Sequence, residues 1–202
     1  MDPFMICNMA LSFIGNSNPV SSFADNTTES RLCSRYYDIA RKTILSEFPW
    51  SFAKRSSVSL VADTTAIHPV YAFVYDYPAD ALRILRIGNG VSTGNVDYIA
   101  VYEVVSAVVD DGSKQQILCD IADARADYIA DVEDAALFSA WFIEALAWKI
   151  AANVAVGLSG DPKIAQYAEQ RYAITVQYAK RFEGLQLNKQ VVQGNRYITA
   201  RS

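Results

Sequence analysis

The sequence predicts an α+β protein: a helical bundle formed by the N- and C-terminal helices, with an inserted, mostly antiparallel β-domain. Three observations carry that reading. Apolar residues recur at spacings of three and four before Pro49 and again after Asp131. Between them, from Trp50 to about Ile129, short runs rich in β-branched and aromatic residues alternate with turn signals. At 202 residues, with 51% hydrophobic and 20% charged residues, the chain has the length and composition of a folded globular protein.

The first helix is expected over Phe4–Ile14, stopped by Gly15. A polar loop broken by Pro19 follows, and Asn26 reads as the N-cap of a second helix, with Glu29 three positions on completing a capping box. That helix runs to about Glu47. Leu32, Tyr36, Ala40, Thr43 and Ile44 form its apolar face, and Arg31, Arg35, Asp38 and Arg41 its polar one. Pro49 ends it, because the residue before a proline is pushed out of helical geometry.

In the β-region, Val58, Leu60 and Ala62 lie at alternating positions, and Val70–Tyr77 and Tyr98–Val109 read as strands. Asp110-Asp111-Gly112 signals a hairpin turn into a strand over Gln115–Ile121. The glycines of Gly88-Asn89-Gly90 and Thr93-Gly94-Asn95 mark a loop. Helix is expected again from Asp131 to about Val156, with Glu133 and Asp134 at its positive N-terminal end and Gly157 and Gly160 closing it. Asp161-Pro162 pairs an N-cap with a proline at the first helical position. The last helix then continues through Ile164, Ala168, Tyr172, Thr175, Tyr178 and Phe182 to about Leu187. The short loop makes the two helices an antiparallel hairpin. The chain therefore divides into residues 1–49, the first helices; 50–130, the β-domain; 131–188, the helical hairpin; and 189–202, an extended polar tail.

Composition narrows the function. A net charge of −4 and a pI near 5.0 argue against gripping DNA phosphates, which takes a basic excess. Cys7, Cys33 and Cys119 share no Cys-x-x-Cys spacing and read as small buried apolar residues. No basic stretch precedes the apolar run at the N-terminus, so it is not read as a secretory signal. Glu144, Lys149 and Asn153 interrupt the most apolar window, Ala135–Leu158, which reads as a buried helix and not a membrane span.

No sequence pattern supplies a catalytic site, a cofactor or a metal. His68, the single histidine, precedes Pro69 in a loop-like segment, and no serine lies in a nucleophile elbow. Gly88–Gly94 lacks the glycine spacing of a dinucleotide loop. The acids Asp120, Asp123, Asp127, Asp131, Glu133 and Asp134 do not match a calcium loop, since Arg125 stands where its glycine belongs. They read as a solvated face with helix capping, or as an acidic wall past which a DNA duplex slides without sticking, with Asp120, Asp123 and Asp127 lining the channel. A hydrolase using two of these carboxylates is the alternative enzymatic reading.

Three segments resemble the head–tail adaptor (connector) family of tailed bacteriophages, tail tubular protein A-like. They are Ile6-Cys7-Asn8-Met9-Ala10-Leu11-Ser12-Phe13-Ile14-Gly15 followed by Pro19-Val20-Ser21-Ser22-Phe23; the junction Tyr36–Lys42 through Pro49-Trp50-Ser51-Phe52-Ala53-Lys54-Arg55; and Tyr71–Arg83, a tyrosine-rich strand leading into a Pro-x-Asp turn. With the final helix pair they span most of residues 5–188. Ala81 stands where the family often has a cysteine. The resemblance implies a non-enzymatic virion protein of the phage neck, in the host cytoplasm during assembly. It implies a ring of about a dozen copies that docks under the portal protein, extends the DNA channel without sequence-specific binding and carries the tail nozzle or other tail proteins. No membrane is involved. Another neck or tail-completion protein with the same bundle is a further alternative.

Against that background Leu137, Phe138, Trp141, Phe142, Leu146, Trp148 and Ile150 spread nearly around their helix, more apolar surface than one core face needs. Trp141, Phe142 and Trp148 are the candidates for packing against a neighbouring subunit. In the tail, Val191, Val192, Arg196, Tyr197, Ile198 and Arg201 are the candidates for anchoring to a partner.

Overall fold

The computed structural model describes residues 1–89, 100–109 and 112–188, with side chains undescribed at 109 and 186–188. The tail candidates Val191, Val192, Arg196, Tyr197, Ile198 and Arg201 lie outside the described residues, as do Thr93-Gly94-Asn95 and the turn residues Asp110 and Asp111. The fold is α+β: N- and C-terminal helices pack together, and two small antiparallel three-stranded sheets are inserted between them. The chain forms two compact units. Among the described residues, one comprises 1–44, 50–52 and 133–188, the other 45–49 and those within 53–132.

The first helix, α1, spans Pro3–Phe13, and α2 spans Thr28–Glu47. Gly15, at φ 75°, ends α1 in a Schellman turn: its N–H bonds Ser12 O at 3.1 Å and the Asn16 N–H bonds Leu11 O at 3.0 Å. The predicted cap of α2 shifts by one residue. Thr27 Oγ1, not Asn26, accepts from Ser30 N at 3.1 Å. Glu29 does not close a capping box; its Oε1 accepts from the Asn18 and Asn16 amides, at 2.7 and 3.2 Å. These bonds hold the Glu29 carboxyl below its ordinary pKa, the Asn18 bond contributing most.

On α2 the expected Ala40 and Ile44 are buried, but Cys33, Tyr37 and Arg41 are buried beside them, while Leu32 and Tyr36 are half-buried and Thr43 is exposed. Apolar residues stand in adjacent pairs (Leu32-Cys33, Tyr36-Tyr37), so periodicity alone does not choose between them. Arg41, expected on the polar face, is 1% exposed and ion-paired to Asp38 at 3.3 Å.

A 3-10 turn at Ala135–Leu137 precedes α3, which starts at Ala140 and not near Asp131, and runs to Ser159. Ser139 caps it, its Oγ accepting from Phe142 N at 3.4 Å. Gly160, at φ 68°, closes it. Gly157 does not; it lies inside the helix, where an added Cβ would stand 3.1 Å from a Leu32 methyl, so it is a point of close helix approach. α3 is long and apolar enough to cross a membrane by length and composition, yet Phe142, Ala145, Leu146, Ile150, Ala151, Val154 and Ala155 are fully buried in this unit. The last helix, α4, spans Pro162–Asn188 and packs along α3, with Asp161 Oδ1 accepting from Lys163 N at 2.9 Å.

In the β-unit one sheet has the order β1 (Lys54–Ser59), β6 (Arg125–Ala130), β3 (Ala81–Gly88). The other has β2 (Phe73–Asp76), β5 (Gly112–Cys119), β4 (Tyr102–Val109). β4 and β5 pair as the hairpin that Asp110-Asp111-Gly112 announces, with Val109 opposite Gly112. Tyr75 ties β2 to the β5–β6 connection: its hydroxyl donates to Ile121 O at 2.7 Å and accepts from Ala124 N at 3.2 Å. The Pro-x-Asp turn is closed by Ala81 N to Pro78 O at 2.9 Å, and Asp80 accepts from the Tyr128 hydroxyl at 3.0 Å.

Candidate functional surface

The sequence-predicted acids have different surroundings. Asp120, exposed, accepts from Ala72 N at 2.9 Å. Asp123 sits in a turn at φ 53° and is exposed. Asp127 leaves the channel-lining set: on the central strand β6 it is 4% exposed, accepting from Ser57 N at 2.7 Å and pairing with Arg86 Nε at 2.8 Å. β6 is the central strand of its sheet and is buried on both faces from Ala126 to Ala130, so Asp127 is enclosed there. Asp134 belongs to the helical unit, where it accepts from Ala136 N at 2.9 Å at the start of the 3-10 turn.

Asp127 clamps a bulge. The β1–β6 register shifts between Arg55 and Val58, and Ser57 there takes φ 53°, a conformation that a serine rarely adopts. Arg125 Nε holds the same residue through its carbonyl at 2.7 Å. In Asp127→Ala the Ser57 N–H loses its acceptor, at a cost of about 1–3 kcal/mol. Because Arg86 is 42% exposed, water screens its half of the ion pair and little is added from that side. A lower urea midpoint at unchanged slope is the expected result.

A second polar centre, not foreseen from the sequence, lies around Asp63. Its Oδ2 receives Lys114 Nζ at 2.7 Å and Gln116 Nε2 at 2.9 Å, while Oδ1 receives the Thr65 N–H and hydroxyl and the Ala66 N–H. Lys114 also reaches Asp76 at 3.0 Å, beside a shallow cleft of about 370 Å³ at Tyr77 and Pro78. The spacing Asp63-x-Thr65 is an Asx-turn signal that the sequence does hold. Its partners on β5 are fixed only by strand pairing.

The Lys114 ammonium, then Thr65, hold the Asp63 carboxyl well below the usual carboxylate range. The unfolded chain therefore takes up this proton near pH 4, before the folded protein does. Stability from this group is present above that pH and is lost as pH falls through the lower folded value. In Asp63→Asn the acid limb of a stability-versus-pH curve is expected to be flatter below about pH 4.

The remaining candidates have structural surroundings. Nδ1 of His68 accepts from Val70 N and Tyr71 N, both at 3.3 Å, which makes it a turn residue. All three cysteines are free and buried. A hydrogen bond to Cys33, and then burial, raise the Cys7 thiol above its ordinary pKa. Among the described residues no three His, Cys, Asp or Glu side chains form a metal-holding group.

Of the three subunit-packing candidates only Trp141 faces outward. Phe142 is fully buried, its ring 5.0 Å from Trp50, 5.0 Å from Phe52 and 4.8 Å from Phe138. Trp148 is 7% exposed, stacked on Phe13 at 4.0 Å, with the Arg171 guanidinium 5.4 Å from its ring. Both are core residues, because α3 is enclosed on more sides than one apolar stripe would require.

The outward apolar surface is instead on α4. Its buried row is Ala168, Tyr172, Val176, Ala179 and Glu183. Glu183 accepts from the Ser51 hydroxyl at 2.7 Å and from Ser51 N at 3.2 Å. Beside that row Tyr167, Ile174, Tyr178, Phe182 and Leu185 are all exposed. At about 100° per residue these five fall within an arc of ~80°, so they make a second apolar stripe and not scattered exposure. Tyr178 and Phe182, two of the residues through which the last helix is expected to run, belong to it. Trp141 extends it onto α3, stacked on Phe182 with centroids 4.8 Å apart and planes 9° apart. An apolar arc about twice the width that one core needs is the signal that would have found it.

No protein-family model matches the sequence. No curated protein matches it either.

Proposed function

We propose that this protein is a structural subunit of a phage neck, a head-to-tail adaptor that forms a ring under the portal protein, extends the DNA channel and carries the tail nozzle or other tail proteins. The observation that carries the reading is the second apolar stripe of α4 with Trp141, a surface suited to a neighbouring protein subunit. Aromatic side chains are the residues enriched at such contacts. The resemblance of Ile6–Phe23, Tyr36–Arg55 and Tyr71–Arg83 to the adaptor family supplies the identity of the assembly. A net charge of −4 accords with DNA passing through without being held.

In this reading Trp141, Tyr178 and Phe182 meet the adjacent copy, and the tail residues Val191, Val192, Arg196, Tyr197, Ile198 and Arg201 reach the portal. Asp120 and Asp123 remain as acids for a channel wall. The protein is mixed with the portal protein of the same phage genome and imaged by negative stain, with mass from light scattering. Rings of about a dozen copies on the portal are expected. Portal particles that stay bare would refute the proposal.

A further inference from the structure

Strand β4 lacks the features that keep sheet edges from pairing. Among the described residues it pairs only with β5, and every second residue turns its N–H and C=O away from that partner. Its register runs from Tyr102 to Val109 without a shift, whereas β1 and β3 in the other sheet are both bulged. It contains no proline, lysine or arginine, and Glu103 is its one charge. Exposed edges normally carry such interruptions because a long, flat, apolar edge recruits another strand.

The geometry points to a second copy of this chain as the occupant, joined β4 to β4 in antiparallel fashion about a two-fold axis at Ser106. The pattern of exposed side chains is symmetric about that residue. Val104 and Val108 stand two positions to either side, on one face of the strand, and are 43% and 89% exposed. Pairing Ser106 with the partner's Ser106 sets Val104 against the partner's Val108, and Val108 against the partner's Val104. Val105 then faces the partner's Ala107. Glu103 faces the partner's Val109, so the only charge never meets its own copy. One three-stranded sheet from each copy joins into a sheet of six strands, and Val104 and Val108 of each copy gain an apolar cross-strand neighbour.

Such a contact is isologous and closes at two copies, so it cannot build a ring. It is a property of the free protein, independent of the neck assignment and of the α4 stripe. The test is made in the Phe182→Glu background, where the helical stripe is disabled. Sedimentation and light scattering over a concentration series are expected to give twice the chain mass. Val104→Lys with Val108→Lys, both at exposed positions, is expected to give the single-chain mass.

Cysteine placement reads the register. With oxidised glutathione as oxidant, two Ser106→Cys thiols lose their protons and two electrons to form one disulfide, and the glutathione disulfide is reduced to two thiols. A covalent dimer is expected for Ser106→Cys, and its yield should exceed that of the exposed control Ser59→Cys at least tenfold. Single-chain mass at every concentration in the Phe182→Glu background would overturn the inference, as would equal crosslinking of the two cysteine variants. Bare portals alongside an intact dimer would count against the neck reading alone.

Discussion

Phe142→Ala is expected to lower the free energy of unfolding by about 3–5 kcal/mol, the range for truncating a buried aromatic ring. The upper half of that range applies because the surrounding groups are poorly able to fill the cavity. Phe142 has no exposed surface, and three other rings stand edge-on or tilted around it: Trp50, Phe52 and Phe138. Trp50 is pinned by its own indole N–H, which donates to Ile44 O at 2.8 Å. For a domain of ordinary stability, about 5–15 kcal/mol, the loss is a large share of the total. Urea unfolding followed by tryptophan fluorescence measures it. A loss below about 1 kcal/mol would mean that the cluster is not the centre of the helical unit's core.

Phe182→Glu is expected to do the reverse: leave stability nearly unchanged and abolish assembly through α4. Phe182 is 44% exposed, so placing a carboxylate there does not require burying it in the isolated chain. At a packed subunit contact the same carboxylate would be desolvated next to Trp141 and Tyr178. Aromatic anchors at interface centres contribute 2 kcal/mol or more, so each contact should weaken at least ~30-fold. Ring formation on the portal, scored by negative stain beside a thermal melt of the free protein, separates the two effects. Rings that form normally from Phe182→Glu would show that the stripe serves another purpose. A melt lowered as far as that of Phe142→Ala would show that the stripe belongs to the core.

These two aromatic residues also mark where sequence reading stops. Phe142 and Phe182 both lie at helical positions in apolar surroundings; Phe142 is among the candidates for packing against a neighbouring subunit, while the helical period runs through Phe182 without saying which way it faces. The structure buries Phe142 and leaves Phe182 exposed. A helix wheel reports that an arc is apolar; it does not report what covers it. The same ambiguity put Leu32 and Tyr36 on the expected α2 face, where Cys33 and Tyr37 are the buried members of each pair. It also left Arg41 on the predicted polar side, although its guanidinium is buried and paired with Asp38.

Signals that act within a few residues were legible. Gly15 and Gly160 end their helices in the left-handed conformation that a glycine adopts without strain. Asp161-Pro162 starts α4, and the β4–β5 hairpin follows its turn residues. Each is a backbone requirement met by its immediate neighbours. The helix–strand–helix order came from the change of hydrophobic period from about 3.6 to 2, which is equally local.

The sequence by itself therefore determined the fold class, the order of the elements and the turns that stop them, because propensity, capping and periodicity are settled over one or two turns of chain. Only the tertiary structure decided which acids face water and which apolar stripe is left uncovered. Asp127 is buried because β6 is the central strand of its sheet, and Asp63 gathers Lys114 and Gln116 because β5 runs beside it. Both depend on contacts between residues some 50 to 70 positions apart. Strand order and helix packing, set by the burial of the whole chain, bring such residues together, and no local pattern encodes that.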